Sequence, residues 1–265
     1  MPRAIVTRPA KEAQEWVNNL RARGIDALAL PLIAIGAAAN PAPLRQAWSR
    51  LGQFEAVMFV SGNAVRHFFA MRPARSASYF DASHPRLRAW VTGPGSRAAL
   101  EASGVAPGVI DGPAPGDGQF DSEALWQQVR GSVVAGIRLL IVRGSAAGED
   151  VSAQGAGRDW LAAQLVAAGG TVEFVVAYER RPPVWAAAQI STIAHAAQDG
   201  SVWIFSSAEA VAYLRASLPQ QSWAQARALA THARIAQAVR QIGFGQVLES
   251  RPVLEDVVAS IESAA

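Results

Sequence analysis

The chain has 265 residues, 51% of them hydrophobic and 17% charged, which suits two globular domains that each bury a core. It contains no cysteine, which excludes a disulfide framework, thiolate metal sites and a cysteine nucleophile. The net charge is +3, and its arginines are scattered rather than grouped, which argues against a nucleic-acid-binding stripe or arm.

The first half of the chain alternates strands with helices. Its predicted elements are, in chain order, a strand at 3–9, a helix to about Arg23 that stops at Gly24, an extended segment at 26–35, a helix from about Pro43, a strand at 56–61, a helix at 62–71, a strand at 88–93, and a helix at 96–103 closed by Gly104. A loop at 111–119 leads to the helix SEALWQQV, for which Ser122 is the expected N-cap.

The sequence predicts neither a signal peptide nor a membrane-spanning segment. The chain starts with a strand and a charged helix rather than a signal peptide. Its longest apolar run, at 27–39, is shorter than a membrane span and is broken by Pro31. We therefore expect a cytoplasmic protein without a membrane partner.

The second half repeats the first in the same order. The matching pairs are RLLIVRG (138–144) with RAIVTRP (3–9), LVAAGG (165–170) with LRARG (20–24), TVEFVVAYERR (171–181) with 26–35, SVWIFSSAEAV (201–211) with AVMFVSGNAV (56–65), and ALATHARIAQAVRQIGF (228–244) with AWVTGPGSRAALEASGV (89–105). This alignment sets Arg143 over Arg8, Ser207 over Ser61 and Gly243 over Gly104. Five ordered matches indicate an internal duplication of a βαβαβα unit.

Strands that alternate with helices predict parallel sheets covered on both faces, with ligands bound beyond the carboxyl ends of the strands. Ser61, Ser206 and Ser207 stand where a strand stops and a helix starts. One reading is that these serines only cap helices. The other is that two such duplicated sites line an anion-binding cleft between two domains.

The turn GPGSRA (93–98) satisfies a dinucleotide fingerprint and has Asp111 downstream, so an NAD(P)-dependent oxidoreductase is one alternative. Against it, the turn follows the third strand of the repeat, and its counterpart ATHARIA has no glycine. The four histidines are far apart with no carboxylate at ligand spacing, so we expect no metal site.

Several short segments, in their order and spacing, resemble the uroporphyrinogen-III synthase family of tetrapyrrole and haem biosynthesis. They are VTRP (6–9), LPLI (30–33), FVSGNAV (59–65), VTGPGSRAAL (91–100), VAYERRPP (176–183), IFSSAEAV (204–211) and VLEDVVASI (253–261). The resemblance implies an α/β fold of two similar domains with parallel sheets flanked by helices, two extended crossover strands and a substrate cleft between the lobes. It implies one domain from 1–36 and 177–265, and a central domain at 37–176.

The implied activity is that of a cofactor-independent hydro-lyase. Such an enzyme cyclises the linear octacarboxylate hydroxymethylbilane to uroporphyrinogen III, with inversion of ring D and loss of water. A two-lobed binding protein without turnover is a further alternative, and we expect a monomer.

The resemblance also assigns site residues. Tyr178 matches a family tyrosine that would assist loss of the hydroxyl, although a tyrosine packed on the linker is the competing reading. The substrate-binding candidates are Thr7, Arg8, Ser61, Gly62, Ser96, Arg143, Ser206, Ser207, Thr231 and His232. His232 departs from the family by standing where a glycine is usual.

Overall fold

The structure is a computed structural model that describes residues 2–73, 80, 87–113, 120–147 and 156–263. The strands within these ranges are β1 (Ala4–Val6), β2 (Ala27–Ala29), β3 (Ala34–Ala37), β4 (Ala56–Phe59), β5 (Arg88–Val91), β6 (Ile110–Asp111), β7 (Arg138–Ala146), β8 (Thr171–Arg181), β9 (Val202–Phe205), β10 (Arg227–Ala230) and β11 (Gln246–Glu249). The helices are α1 (Ala10–Arg21), α2 (Ala42–Ser49), α3 (Gly62–Ala70), α4 (Pro94–Ala102), α5 (Ser122–Val129), α6 (Ala156–Ala167), α7 (Ala187–Ala196), α8 (Ala208–Ser217), α9 (Ala233–Gln241) and α10 (Leu254–Ser263).

The chain divides into two compact units, each built on one sheet. The terminal unit, Met1–Ala34 with Arg181–Ala265, holds a five-stranded parallel sheet in the order β11-β10-β9-β1-β2. The central unit, Ile35–Arg180, holds a six-stranded sheet in the order β3-β8-β7-β4-β5-β6, parallel from β8 to β6. The fold is therefore α/β with two parallel-dominated sheets flanked by helices.

The duplication is visible in the strand register. Ala4 pairs with Val202 in the terminal sheet, and Leu139 pairs with Ala56 in the central sheet. Under the repeat alignment Ala4 corresponds to Leu139, and Val202 corresponds to Ala56, so equivalent residues pair in both sheets. The terminal sheet thus combines β1 and β2 of the first repeat with β9, β10 and β11 of the second. The central sheet combines β7 and β8 of the second repeat with β4, β5 and β6 of the first, and β3 is added at its edge.

Four glycines end equivalent helices in the two repeats. Gly24 and Gly169 follow α1 and α6 with φ of 78° and 83°, and Gly104 and Gly243 follow α4 and α9 with φ of 85° and 95°. This left-handed conformation is open to glycine at little steric cost, which is why the helices stop there.

Each unit has its own aromatic core. In the central unit Trp48 stacks on Phe68 with ring centroids 4.4 Å apart, and the Trp48 indole donates a hydrogen bond to the Phe68 carbonyl. In the terminal unit Trp203 meets Trp223 edge to face at 5.4 Å and donates to the Ala196 carbonyl. Buried indole N–H groups need such partners, and these two carbonyls supply them.

The structure corrects two local expectations, and a third lies mostly outside the described residues. Ser122 is not the N-cap of α5, because Asp121 accepts from the Ala124 N–H at 2.8 Å. The extended segment at 26–35 is two strands: β2 lies in the terminal sheet and β3 in the central sheet, with Pro31 between them. The predicted loop at 111–119 falls largely outside the described residues, and its first two residues include the end of β6.

The predicted domain limits lay after residues 36 and 176, whereas the compact units meet after Ala34 and Arg180. Strand β8, which corresponds to the second of the two crossover strands that the family resemblance implies, pairs along its length with β7 of the central sheet. Among the described residues, no helix has the length and apolar character needed to cross a lipid bilayer.

Candidate functional site

The strand order gives each sheet one switch point, where the winding of the chain reverses direction. It lies between β1 and β9 in the terminal sheet, and between β7 and β4 in the central sheet. Doubly wound sheets bind ligands outside the carboxyl ends of the strands at this point, because the helices diverge there and leave a crevice. The residues that follow β1, β4 and β9, and those of β7 at the same level, are therefore the candidate site.

At the central switch point Ser61 caps helix α3. Its backbone is extended, with φ of −165°, and its hydroxyl accepts from the Ala64 N–H at 3.1 Å. The Val60 N–H donates to the Val142 carbonyl of β7, which sets Ser61 level with the next residues of that strand, Arg143 and Gly144.

The hydroxyl of Ser61 lies 3.1 Å from the hydroxyl of Tyr178, and either oxygen can be the donor. Tyr178 comes from β8, is 5% exposed, and packs with the apolar core of the central unit. The two predicted site residues therefore meet, although 117 residues separate them in the sequence.

Gly144 makes this meeting possible. The register of β7 and β8 shifts between Arg143, which pairs with Val176, and Gly144, which pairs with Tyr178. The shift leaves Ala177 as an extra residue in β8, and such a bulge re-aims the side chain that follows it. A Cβ on residue 144 would overlap the ring of Tyr178, so only glycine leaves room for the phenol against β7.

His67 bounds the same ring from helix α3. The imidazole and the phenol stack with centroids 5.7 Å apart and planes inclined by 27°. Burial lowers the pKa of His67, and the neighbouring Arg66 guanidinium lowers it further. The imidazole is therefore held in its neutral form more strongly than an exposed histidine would be.

Gly62 and Ser96 lie where α3 and α4 begin. A Cβ on Gly62 would come within 3.2 Å of the Arg66 guanidinium and 3.3 Å of the Gly95 carbonyl, so the two first turns approach closely. Ser96 is buried in the first turn of α4, whose N-cap is Gly93 with no side-chain hydrogen bond. Arg66 also donates to the Asn63 side chain at 2.8 Å, which holds a cation beside the start of α3.

The terminal switch point has a different set of side chains. Ser207 caps α8, with its hydroxyl 3.5 Å from the Ala210 nitrogen, and the preceding Ser206 is half-buried. Thr7, which follows β1, is 1% exposed and donates to the Ile204 carbonyl at 2.6 Å. The Thr7 hydroxyl therefore joins β1 to β9 rather than facing solvent.

The equivalent arginines Arg8 and Arg143 both lie against aromatic rings. The Arg8 guanidinium lies 4.4 Å from the Trp16 ring centroid, and that of Arg143 lies 5.1 Å from Phe174. Burial lowers the pKa of Arg8, an effect that the Glu12 carboxylate opposes. Arg143 is 5% exposed, whereas Arg8 is only half-buried and so is the more accessible of the two.

Thr231 and His232 follow β10, one strand away from the terminal switch point. His232 is the N-cap of α9, and its Nδ1 accepts from the Arg234 N–H at 3.1 Å. Its φ is −165°, as is that of the equivalent Gly93. This extended backbone is open to any residue, which explains how a histidine stands at the usual glycine.

The turn GPGSRA opens α4 after β5, also one strand away from the central switch point. A Rossmann fingerprint occupies the first βα turn, beside the switch point. The location of GPGSRA therefore argues against a nicotinamide site.

Two residues around the Ser61–Tyr178 pair, Gly144 and His67, were not predicted as site residues. Gly144 had a signal in the sequence, since a glycine inside a strand often marks a close approach of another group. His67 had none beyond its place on a helix, because its contact with β8 depends on how α3 lies on the sheet.

The fold and these strand ends define a class: an α/β protein of two equivalent doubly wound sheets, with paired hydroxyls at the switch point of one. Comparison with known proteins then gives the family. A family model described as uroporphyrinogen-III synthase HemD matches residues 14–259, so the chain belongs to the uroporphyrinogen-III synthase family.

Solved structures of that family share the fold. The chain is similar to a uroporphyrinogen-III synthetase from Helicobacter pylori, with 16% identity, a TM-score of 0.55 and 100% of both chains covered. It is also similar to a mutant uroporphyrinogen III synthase from Thermus thermophilus, with 16% identity, a TM-score of 0.54, and 100% and 98% of the two chains covered. No curated protein sequence matches the chain.

The family is that of a cyclising hydro-lyase in haem biosynthesis, which acts on a small molecule. The activity of the chain is the conversion of hydroxymethylbilane to uroporphyrinogen III, with loss of water.

Proposed function

We propose that Tyr178 is the acid of this cyclisation and that the hydroxyl of Ser61 is its partner. The observation that carries the proposal is the 3.1 Å contact between the two hydroxyls at the switch point of the central sheet. A general acid must lie within hydrogen-bond reach of the group that it protonates, and a phenol at a ligand crevice meets that need.

The hydrogen bonds around Ser61 permit the direction of proton donation that the proposal requires. The Ser61 oxygen already accepts from the Ala64 N–H at the start of α3, and it retains one proton to donate. When Ser61 donates that proton to Tyr178, the phenol proton is left for the substrate. The start of α3 also carries partial positive charge, which stabilises a negative charge on the two hydroxyls.

The proposed step moves the Tyr178 proton to the terminal hydroxyl of hydroxymethylbilane. The carbon–oxygen bond breaks, water leaves, and the electron pair of the pyrrole nitrogen forms an azafulvene-like cation. Ring D then attacks this cation through its substituted carbon, which gives a spirocyclic intermediate. The earlier bond from that carbon to the methylene of ring C breaks, this methylene bonds to the other α-carbon of ring D, and ring D is thereby inverted. The phenolate takes back the proton that this α-carbon loses as the ring regains aromaticity. The rest of the catalysis is holding the substrate in the geometry that inverts ring D.

The substrate carboxylates would be met by helix starts, hydroxyls and arginines. In the central unit these are the N-terminal turns of α3 and α4 at Gly62 and Ser96, together with Arg143 and the neighbouring Arg66. In the terminal unit the candidates are Ser206, Ser207, Arg8, Thr231 and His232. For Thr7 we propose a supporting role, because its hydroxyl already donates to the Ile204 carbonyl.

We further propose that the protein acts as a cytoplasmic monomer that binds neither nucleic acid nor a membrane. The scattered arginines and the modest net charge of +3 support the absence of nucleic-acid binding. Size-exclusion chromatography with light scattering tests the monomeric state, and a filter-binding assay with duplex and single-stranded DNA tests the absence of nucleic-acid binding.

The test of the acid is a comparison of isomers and rates. Freshly prepared hydroxymethylbilane is supplied, the products are oxidised, and isomers I and III are separated. Tyr178→Phe is expected to lower the rate of isomer III formation by about 100-fold, a typical size for loss of a general acid. Tyr213→Phe is the matched control, because the Tyr213 hydroxyl bonds to Glu209 within α8 of the terminal unit. A fully active Tyr178→Phe protein would remove the tyrosine from the acid role.

A further inference from the structure

The ring of Tyr178 is held between β7 and α3 by two residues that take no direct part in the proposed proton transfer. Gly144 of β7 leaves the space that the phenol fills, and His67 of α3 stacks on the ring at 5.7 Å. Together with the Ser61 hydroxyl they fix both the plane of the ring and the position of its oxygen.

We propose that His67 is a positioning residue for Tyr178, acting through ring stacking rather than through proton transfer. The inference rests on the proposed acid role of Tyr178. The incline of 27° between the two rings is that of an offset stack, the favoured arrangement for two aromatic groups.

The electrostatics of His67 suit stacking better than acid–base work. Burial and the Arg66 guanidinium both disfavour the imidazolium, so a neutral ring faces the phenol. Arg66 in turn is held in place by its hydrogen bond to Asn63, one turn earlier on the same helix.

Both contacts to Tyr178 come from the same helix, α3. Ser61, the partner of the Tyr178 oxygen, is the N-cap of α3, and the same helix carries His67. One helix thus supplies the contact to the hydroxyl and the contact to the ring. A swing of the whole Tyr178 side chain about χ1, away from His67, would also break the Ser61 contact, and the proton would be misplaced for transfer.

The experiment pairs two substitutions of His67 with two backgrounds. His67→Ala removes the stack and is expected to lower kcat about tenfold with KM nearly unchanged, as for loss of orientation alone. His67→Phe keeps an aromatic ring and is expected to restore most of the rate. In the Tyr178→Phe background, His67→Ala is expected to have no further effect, because no phenol remains to be positioned.

The matched control is His195→Ala, which changes an exposed histidine of α7 in the terminal unit and is expected to leave kcat unchanged. The inference is overturned if His67→Ala keeps the parent rate, or if it lowers the rate equally in both backgrounds. A loss that His67→Phe does not restore would also overturn it.

A readout independent of turnover separates this inference from the acid role. The chain has three tyrosines, so Tyr178 can be assigned in a protein with isotopically labelled tyrosine rings by comparison with Tyr178→Phe. His67→Ala is expected to speed the ring flips of Tyr178 about tenfold or more, and His67→Phe to leave them slow. If His67→Ala speeds the ring flips while Tyr178→Phe is fully active, only the acid role is overturned. If His67→Ala leaves the ring flips unchanged, the positioning role is overturned.

Discussion

The two switch points began as copies of one structure and now differ in their side chains. Ser61 and Ser207 are equivalent, and each caps a helix through its hydroxyl. In the central unit the next contact of that hydroxyl is the phenol of Tyr178. In the terminal unit the neighbouring features are the bonded Thr7 hydroxyl and the Arg8 cation on Trp16.

The two units also differ at the residue that follows the equivalent arginines. Gly144 follows Arg143, and its equivalent Pro9 follows Arg8. Gly144 admits the ring of Tyr178, whereas Pro9 stands at the N-cap of α1 and makes no side-chain capping hydrogen bond there. The comparison teaches that the two units share the helix caps, while the hydroxyl pair lies in the central unit and the more accessible of the two equivalent cations lies in the terminal unit.

The largest effect should come from closing the space beneath the phenol. Gly144→Ala places a Cβ in the ring of Tyr178, so the ring must move away from Ser61. We expect a loss of about 100-fold in isomer III formation, as for loss of the acid itself, and a destabilisation of about 1–3 kcal/mol from overpacking. The coupled isomer assay and urea unfolding measure the two quantities.

Its control is Pro9→Ala, which places alanine at the equivalent position of the terminal unit. It is expected to leave the rate close to that of the parent, since Tyr178 and its contact with Ser61 lie in the central unit. Equal losses in the two variants would show that the switch points do not differ as argued above.

The next effect separates capping from catalysis. Ser61→Ala and Ser207→Ala each remove a helix cap and should each cost about 1 kcal/mol of folding free energy. Only Ser61→Ala also removes the partner of Tyr178, so only it should lower kcat, by about tenfold. Steady-state kinetics beside thermal melts test this, and a similar fall in kcat for both serines would refute the distinction.

A smaller effect is expected at the terminal switch point. Arg8→Gln removes the cation over Trp16 and should raise KM about threefold to tenfold while leaving kcat unchanged, as for a carboxylate contact made equally in ground and transition states. Arg8→Lys keeps the charge and should lie between the two. A fall in kcat without a change in KM would instead place Arg8 in the chemical step.

The smallest effect is on the pH dependence of stability. The pKa of His67 is lower in the folded chain than in the unfolded chain, so the unfolded state binds more protons between the two values. The contribution of His67 to the free energy of unfolding should be fully present above its unfolded pKa of about 6.5. It should decline as the pH falls toward its lower pKa in the folded chain. His67→Phe should flatten that part of the curve, which unfolding by urea at a series of pH values can measure.

Sequence patterns predicted the α/β class, the order of the main strands and helices, and the duplication. They could do so because apolar strands, capping serines such as Ser61 and helix-ending glycines such as Gly24 are local signals with a fixed period. They were less able to set boundaries: Asp121 rather than Ser122 caps α5, since both can supply a capping oxygen and the backbone selects between them. The short strands β6 and β11 were also not foreseen, because edge strands carry little of the apolar signal.

The candidate site divides in the same way. The sequence by itself determined that hydroxyls and arginines stand at the strand ends, and that Tyr178 is one of the family's matching residues. Only the tertiary structure decided that Ser61 meets Tyr178, that Gly144 makes room for the phenol and that His67 stacks on it. The reason is physical: a strand end fixes where a residue stands along its own strand. Which residue stands beside it depends on sheet order, on register and on one bulge, and these are set by pairings between residues far apart in the chain.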